Sequence, residues 1–176
     1  MSTTWNLDPS HSEIQFKVRH MMITNVGGQF EKFDAQVETD GDDFTTARIR
    51  FTADIDSINT KNEQRDTHLK SADFFDAENH PQLVFEGSKL EKIDEENYKL
   101  HGTLTIRGVS KEVVLNVEYG GMVKDPWGMM RVGFVVEGKL NRKEYGLHWS
   151  AVTEAGGLVV SDEVKLIATV EFTKAE

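Results

Sequence analysis

Apolar and polar residues alternate one-for-one along at least six separate stretches of this chain. Ile14, Phe16 and Val18 interleave with Gln15, Lys17 and Arg19, and Ile49, Phe51, Ala53 and Ile55 interleave with Arg50, Thr52 and Asp54. The same pattern runs through Leu100 to Arg107, Leu115 to Tyr119, Met130 to Val136 and Val164 to Phe172. A period of two places alternate side chains on opposite faces of a strand, so each strand has one oily and one charged face. With little helix to cover them, the oily faces must hide against one another. The expected fold is all-β, as a sandwich or a closed antiparallel barrel of about eight strands with an apolar interior.

Turn residues punctuate the strands as this fold requires. Thr39-Asp40-Gly41-Asp42-Asp43, Asp94-Glu95-Glu96-Asn97, Gly108-Val109-Ser110 and Asp125-Pro126-Trp127-Gly128 each separate two alternating runs. Two segments break the pattern. His20 to Val26 reads as a short helical turn before Gly27-Gly28. From about Asp56 to Pro81 the chain reads as a polar helical insertion, with Thr60 and Glu63 at capping-box spacing and Phe74-Phe75 as an aromatic tail. No linker or internal repeat appears, so residues 1–176 read as one domain.

Composition narrows the function classes. The chain has 176 residues and a formal net charge of −10, which disfavours nucleic acid and anionic membrane surfaces as partners. Without cysteine there is no disulfide, zinc-thiolate site or thiol nucleophile. No stretch approaches the roughly 20 apolar residues of a membrane span. Met1-Ser2-Thr3-Thr4-Trp5 shows neither a basic start nor an apolar run, so the expected compartment is the cytoplasm unless a leader was trimmed.

Catalytic and metal signatures are weak. The six histidines show no HExxH pattern and no i,i+4 pair, so no metal site is expected. Ser12 beside His11 is not a triad, there is no GxSxG elbow, and Gly27-Gly28 and Gly120-Gly121 lack the helix and lysine of a phosphate cradle. No catalytic residue and no cofactor is therefore expected.

What remains is the interior. The inward phase carries Ile14, Phe16, Ile49, Phe51, Phe85, Leu100, Leu104, Leu115, Met130 and Phe134, and His20 continues the inward phase of Val18. A barrel of this size either fills with side chains or holds one ligand. If hollow, it selects an apolar chain, and about ten buried methylenes at ~0.8 kcal/mol each supply roughly 8 kcal/mol before binding costs. Arg19, on the polar phase near a strand end, is the candidate contact for an anionic headgroup; the alternative is a solvated or paired arginine.

Three ordered motifs complete the reading. They are Trp5-Asn6-Leu7-Asp8-Pro9-Ser10-His11-Ser12 with Phe16-Lys17-Val18-Arg19-His20-Met21-Met22, then His68-Leu69-Lys70-Ser71-Ala72-Asp73-Phe74-Phe75-Asp76 running on to Phe85, then Asn141-Arg142-Lys143-Glu144-Tyr145-Gly146-Leu147. In this order the chain resembles the YceI-like family of polyisoprenoid-binding proteins over nearly its whole length. The resemblance implies a lipocalin-like barrel with a long apolar pocket. It implies binding, storage or transport of a polyisoprenoid, an isoprenoid quinone or a related amphiphilic lipid. Members are often dimeric and many are periplasmic, so a homodimer, and a periplasmic site if a leader was removed, are among the expected states. On this view Val18, His20, Met21, Phe74 and Phe75 join the inward set as ligand contacts, with Phe74-Phe75 either a lid or a plug. The Trp5 and Asn141-to-Leu147 segments either close a barrel end or line the pocket. Two other readings remain open, an enzyme acting on a small apolar substrate inside the barrel and a solid-core stress-response interaction module.

Overall fold

The computed structural model describes residues 2–20, 23–147 and 161–175, with only the backbone of His20. Its strands are β1 (Ser2–Leu7), β2 (Glu13–His20), β3 (Thr24–Phe30), β4 (Phe33–Asp40), β5 (Asp43–Asp54), β6 (Ile58–Asn59), β7 (Gln82–Lys92), β8 (Asn97–Ile106), β9 (Val109–Lys124), β10 (Met130–Asn141) and β11 (Glu163–Lys174), with helix α1 (Glu63–Lys70) after β6. Every pairing is antiparallel. The order β1-β4-β5-β7-β8-β9-β10-β11 returns to β1, which makes a closed barrel of eight strands.

Closure depends on β11, whose free edge is shared by two strands. Its last residues pair with β1, Leu7 opposite Phe172 and Trp5 opposite Lys174. Its first half pairs with β2, Ile14 opposite Ala168 and Lys17 opposite Lys165. Between β1 and β2 the chain jogs through a single 3-10 turn at Pro9–His11, whose first turn is capped by the Asp8 carboxylate accepting from Ser10 N at 3.1 Å. β3 and β6 then extend the β2 edge as a short flap of sheet.

The alternation lands as expected. Ala35, Phe51, Phe85 and Leu104 stand opposite one another in one inward row across four strands. At the end where β1 begins, an aromatic floor closes the barrel. Trp5 is fully buried and its Nε1–H donates to Thr39 Oγ1 at 3.0 Å. Its ring lies 5.0 Å from Phe44, Phe44 lies 5.2 Å from Phe134, and Phe134 lies 5.6 Å from Tyr119. The opposite end, at Ile106, Leu140 and Val164, is the mouth.

Two local expectations are corrected. Residues 24–30 are strand, not helical turn, because Gly27-Gly28 pairs with Lys17 and Phe16. A side chain at Gly28 would meet the Phe16 ring, its Cβ 2.4 Å from the ring edge, so the glycines admit a ring rather than make a turn. The helix cap is Asn62, accepting from Arg65 N at 2.9 Å. Thr60 instead donates from its backbone to Asp66 at 2.9 Å, because Asp66 also takes its hydroxyl. No helix among the described residues is long and apolar enough to cross a membrane.

The same use of glycine recurs deeper in the barrel. A Cβ on Gly102 would sit 2.5 Å from both the Phe85 ring and the Glu86 carbonyl. The Phe85 ring therefore lies against the wall at Gly102. Gly102→Ala is expected to cost about 1–3 kcal/mol of unfolding free energy, read by urea denaturation, because it overpacks a site with no room to yield. Unchanged stability would show that Phe85 can move away freely.

Outside the barrel, Arg131 ties three segments together. Its guanidinium donates to Asp125 at 2.7 Å, Asp8 at 2.8 Å and Glu171 at 3.0 Å. The Ser10 hydroxyl, then His11 and Arg131, hold the Asp8 carboxyl well below the usual carboxylate range. A depressed folded pKa contributes stability that is complete above the unfolded value near 3.9 and is lost as pH falls below it. Asp8→Asn is therefore expected to destabilise most near neutral pH, with the gap from wild type narrowing below about pH 4. Urea midpoints across pH check this; a gap constant with pH would contradict it.

Candidate ligand-binding chambers

The inward faces do not fill the barrel. Two chambers lie along its axis, and Phe30, Leu83 and Leu166 belong to the walls of both. The inner chamber has a volume of about 150 Å³ and its walls are hydrocarbon throughout. An apolar cavity of that size stays dry and accepts apolar guests. The outer chamber, at the mouth, measures about 450 Å³, within the range of sites that hold small organic ligands.

Small residues leave the inner space open. Ala35, Ala47, Ala53, Ala168 and Gly138 all face it. Leu115 packs over Gly138, where a Cβ would lie 2.3 Å from its methyl group. Rings and branched chains are thus drawn back against the wall and the axis stays clear.

The structure gathers most of the inward set. Ile14, Ile49, Phe51 and Phe85 line the inner chamber, as do Leu100, Leu104, Leu115 and Phe134. Phe16, Val18, Arg19, Phe74 and Phe75 line the outer one. Phe74 is buried under α1 with its ring 5.1 Å from His68, and Phe75 meets Phe30 edge-on at 6.2 Å. Met130 lines neither chamber. It shares the phase of Phe134 but pairs with Lys124 at the hairpin end of β10, beyond the aromatic floor. The His20 side chain and Met21 lie outside the described residues.

Several wall residues escape the alternation. Phe44 sits inside because the β4–β5 register shifts between Glu38 and Asp40, which reverses the phase ahead of Ala47. Arg65, His68 and Leu69 reach the outer chamber from one face of α1, at the i, i+3, i+4 spacing of a helix stripe. Arg142 was legible in principle. The even phase of β10 runs Val132, Phe134, Val136, Gly138, Leu140 and then Arg142, and the arginine turns inward with the rest.

Arg142 is 3% exposed. Its Nε–H donates to the Ser161 carbonyl at 3.0 Å and Nη1 donates to the Leu147 carbonyl at 2.7 Å. Asp162 lies 3.8 Å from Nη2, and the guanidinium stands 5.7 Å over the Phe74 ring. Burial lowers its pKa from the ordinary arginine value, and Asp162 opposes that. The Asn141–Leu147 segment thus both ends β10 and forms part of the pocket wall. β2 is fastened beside it, since Arg19 N donates to Ser161 Oγ and Ser161 N to Arg19 O, each at 3.1 Å.

A family model described as a YceI-like domain matches residues 5–172. The chain belongs to the YceI-like family. A UPF0312 protein of Staphylococcus aureus strain N315 is 39% identical over 175 residues, covering 99% of each chain. The Campylobacter jejuni YceI protein, solved by crystallography, is 38% identical over 90% of each chain, with a TM-score of 0.78. Burkholderia cenocepacia BcnA, at 22% identity, superposes with a TM-score of 0.81 over 94% of this chain and 98% of its own. A domain from Saccharophagus degradans described as polyisoprenoid binding shares the YceI-like fold at 15% identity, with a TM-score of 0.70 over 97% of this chain and 98% of its own. These likenesses under one quarter identity concern the barrel alone.

Proposed function

We propose that this YceI-like protein binds and carries a long-chain apolar amphiphile, a polyisoprenoid, isoprenoid quinone or related lipid, without acting on it chemically. The observation that carries this reading is the inner chamber, a hydrocarbon-walled cavity that adjoins a larger chamber at the mouth. A tail entering past Arg19 and Phe75 threads between Phe30, Leu83 and Leu166 and ends on the floor at Phe44 and Phe134. Along β10, from Leu140 at the mouth to Phe134 at the floor, the strand advances about 20 Å, which suits a chain rather than a compact molecule. The polyisoprenoid-binding description of the Saccharophagus degradans domain, which shares this barrel, supports the same ligand class.

The wall chemistry favours carriage over catalysis. Among the described residues the inner chamber offers no acid, base or nucleophile, so a tail held there meets only dispersion and the hydrophobic effect. Each methylene transferred from water adds ~0.8 kcal/mol, so affinity is expected to rise with tail length until the floor is reached.

Organic extraction of protein purified from its native host, analysed by mass, is expected to release a long-chain amphiphile in near-stoichiometric amount. Persistent absence of lipid, with no uptake of added polyprenyl compounds, would overturn the reading. Ala168→Leu adds bulk to the inner chamber only. It is expected to weaken tail binding at least about tenfold, equivalent to about 1.4 kcal/mol, while leaving the unfolding midpoint unchanged or higher. Undiminished affinity would place the tail elsewhere.

A further inference from the structure

Charge is spread unevenly along the barrel axis. At the floor end, Asp40, Asp42 and Asp43 stand around the β4–β5 turn, and Asp94, Glu95 and Glu96 fill the β7–β8 turn. The β2–β3 and β8–β9 turns, at the mouth end, carry no acid. A molecule with its net charge of −10 evenly spread would be repelled by an anionic surface. Here the local groups decide. A strand as long as β10 runs about 40 Å, whereas charges on the surface are screened within about 8 Å at physiological ionic strength.

Outside the mouth those groups are three lysines abreast. Lys17 on β2 stands directly opposite Lys165 on β11, and Lys165 directly opposite Lys139 on β10. All three are exposed. Opposed residues in antiparallel strands have Cβ atoms about 5 Å apart, and like charges at that spacing destabilise a sheet. Lys139 has Glu163 at 3.6 Å, while Lys17 and Lys165 make no ion pair among the described residues. Phe16, Val18, Val164 and Leu166, their neighbours along the strands, line the outer chamber, so the row crosses the outside of the mouth wall.

Ile23 leads the same edge. It occupies the turn between β2 and β3, where polar residues are the rule, and is 76% exposed. An apolar tip beside a basic row suits a bilayer interface, where the side chain sinks below the headgroups and the ammoniums meet phosphate. Trp127 is as exposed, at 82%, but sits in the β9–β10 turn beyond the floor.

We propose that the mouth end is a docking surface for an anionic lipid bilayer, with Ile23 inserted and Lys17, Lys165 and Lys139 on the headgroups. The acidic floor turns are repelled by such a surface, so docking turns the open end of the barrel toward the leaflet. This goes beyond the carrier reading and does not depend on it, since an empty barrel docks as well.

The test is flotation of delipidated protein with vesicles of phosphatidylcholine, alone or with roughly one-third phosphatidylglycerol. At low salt the anionic vesicles are expected to bind at least about tenfold more tightly, with the gap closing at 1 M salt, where the Debye length is about 3 Å. Lys17→Gln and Lys165→Gln are each expected to weaken binding about fivefold. Their urea midpoints should stay unchanged or rise, because a like-charge pair is relieved. Ile23→Ser is expected to weaken binding roughly tenfold and Trp127→Ser to leave it intact. Absence of binding to anionic vesicles, or equal binding to both kinds, overturns the proposal, and uptake of added polyprenyl compounds, measured separately, shows whether the carrier reading stands. Binding retained in Ile23→Ser and lost in Trp127→Ser also overturns it, because the floor end is then the surface. Self-association in solution that Ile23→Ser abolishes, measured by sedimentation, assigns the tip to a second copy and overturns it too.

Discussion

Everything in this molecule depends on the closing seam between β11 and the pair β1 and β2. Eight strands with one oily face each leave a large apolar surface exposed unless the sheet meets itself. Here one long strand serves as the seam for two shorter ones, β1 at the floor and β2 toward the mouth. The jog between them, capped by Asp8, lets β1 turn Trp5 into the floor while β2 turns Phe16 and Val18 into the mouth. The Arg131 cluster holds that jog from outside, linking Asp8 to β11 through Glu171 and to the β9–β10 hairpin through Asp125. Closure thus sets both which end is sealed and which end is open.

A closed eight-stranded barrel need not be hollow. This one is hollow because bulky side chains are seated in the wall rather than on the axis. Phe85 lies on Gly102, Leu115 on Gly138 and Phe16 on Gly28, and alanines occupy the remaining inward places. Each glycine gives up packing and costs conformational entropy in a strand, so the arrangement sacrifices stability for space. The aromatic floor offsets part of that sacrifice at one end. At the other end, the polar helix α1 and the Asn141–Leu147 segment bring charge to the rim. The resulting polarity gradient, hydrocarbon below and cationic above, has the form of an amphiphile.

Much of this was legible in the residues, and the failures share a cause. Strict alternation places Ile14, Phe51, Phe85, Leu104 and Phe134 on the lumen because their strands run without slippage through the middle of the barrel. It misplaces Phe44, because a register shift between Glu38 and Asp40 reverses the phase and no local residue type announces it. It includes Met130 because phase says which face a residue takes but not how far along the axis it sits. The break at His20 to Val26 reads as a helical turn ahead of Gly27-Gly28, when residues 24–30 form a strand whose Gly28 receives a ring from the neighbouring strand, a long-range reason that a local pattern does not contain. The charged rim was missed because a polar helix looks solvated by default, and only its docking over the mouth gives Arg65 and His68 a shared direction. The family resemblance carried by the three motifs was borne out, and Arg142 lines the pocket on the even phase that runs the length of β10.

The central claim is that a tail occupies the inner chamber with its head at the mouth. The most direct measurement is a crystal structure of the complex with a single-chain amphiphile brominated at the tail terminus, located by anomalous scattering. The account predicts a bromine peak inside the inner chamber, among Phe85, Leu104 and Val170 above the floor. A peak confined to the outer chamber, or on the outer surface of the barrel, would contradict it.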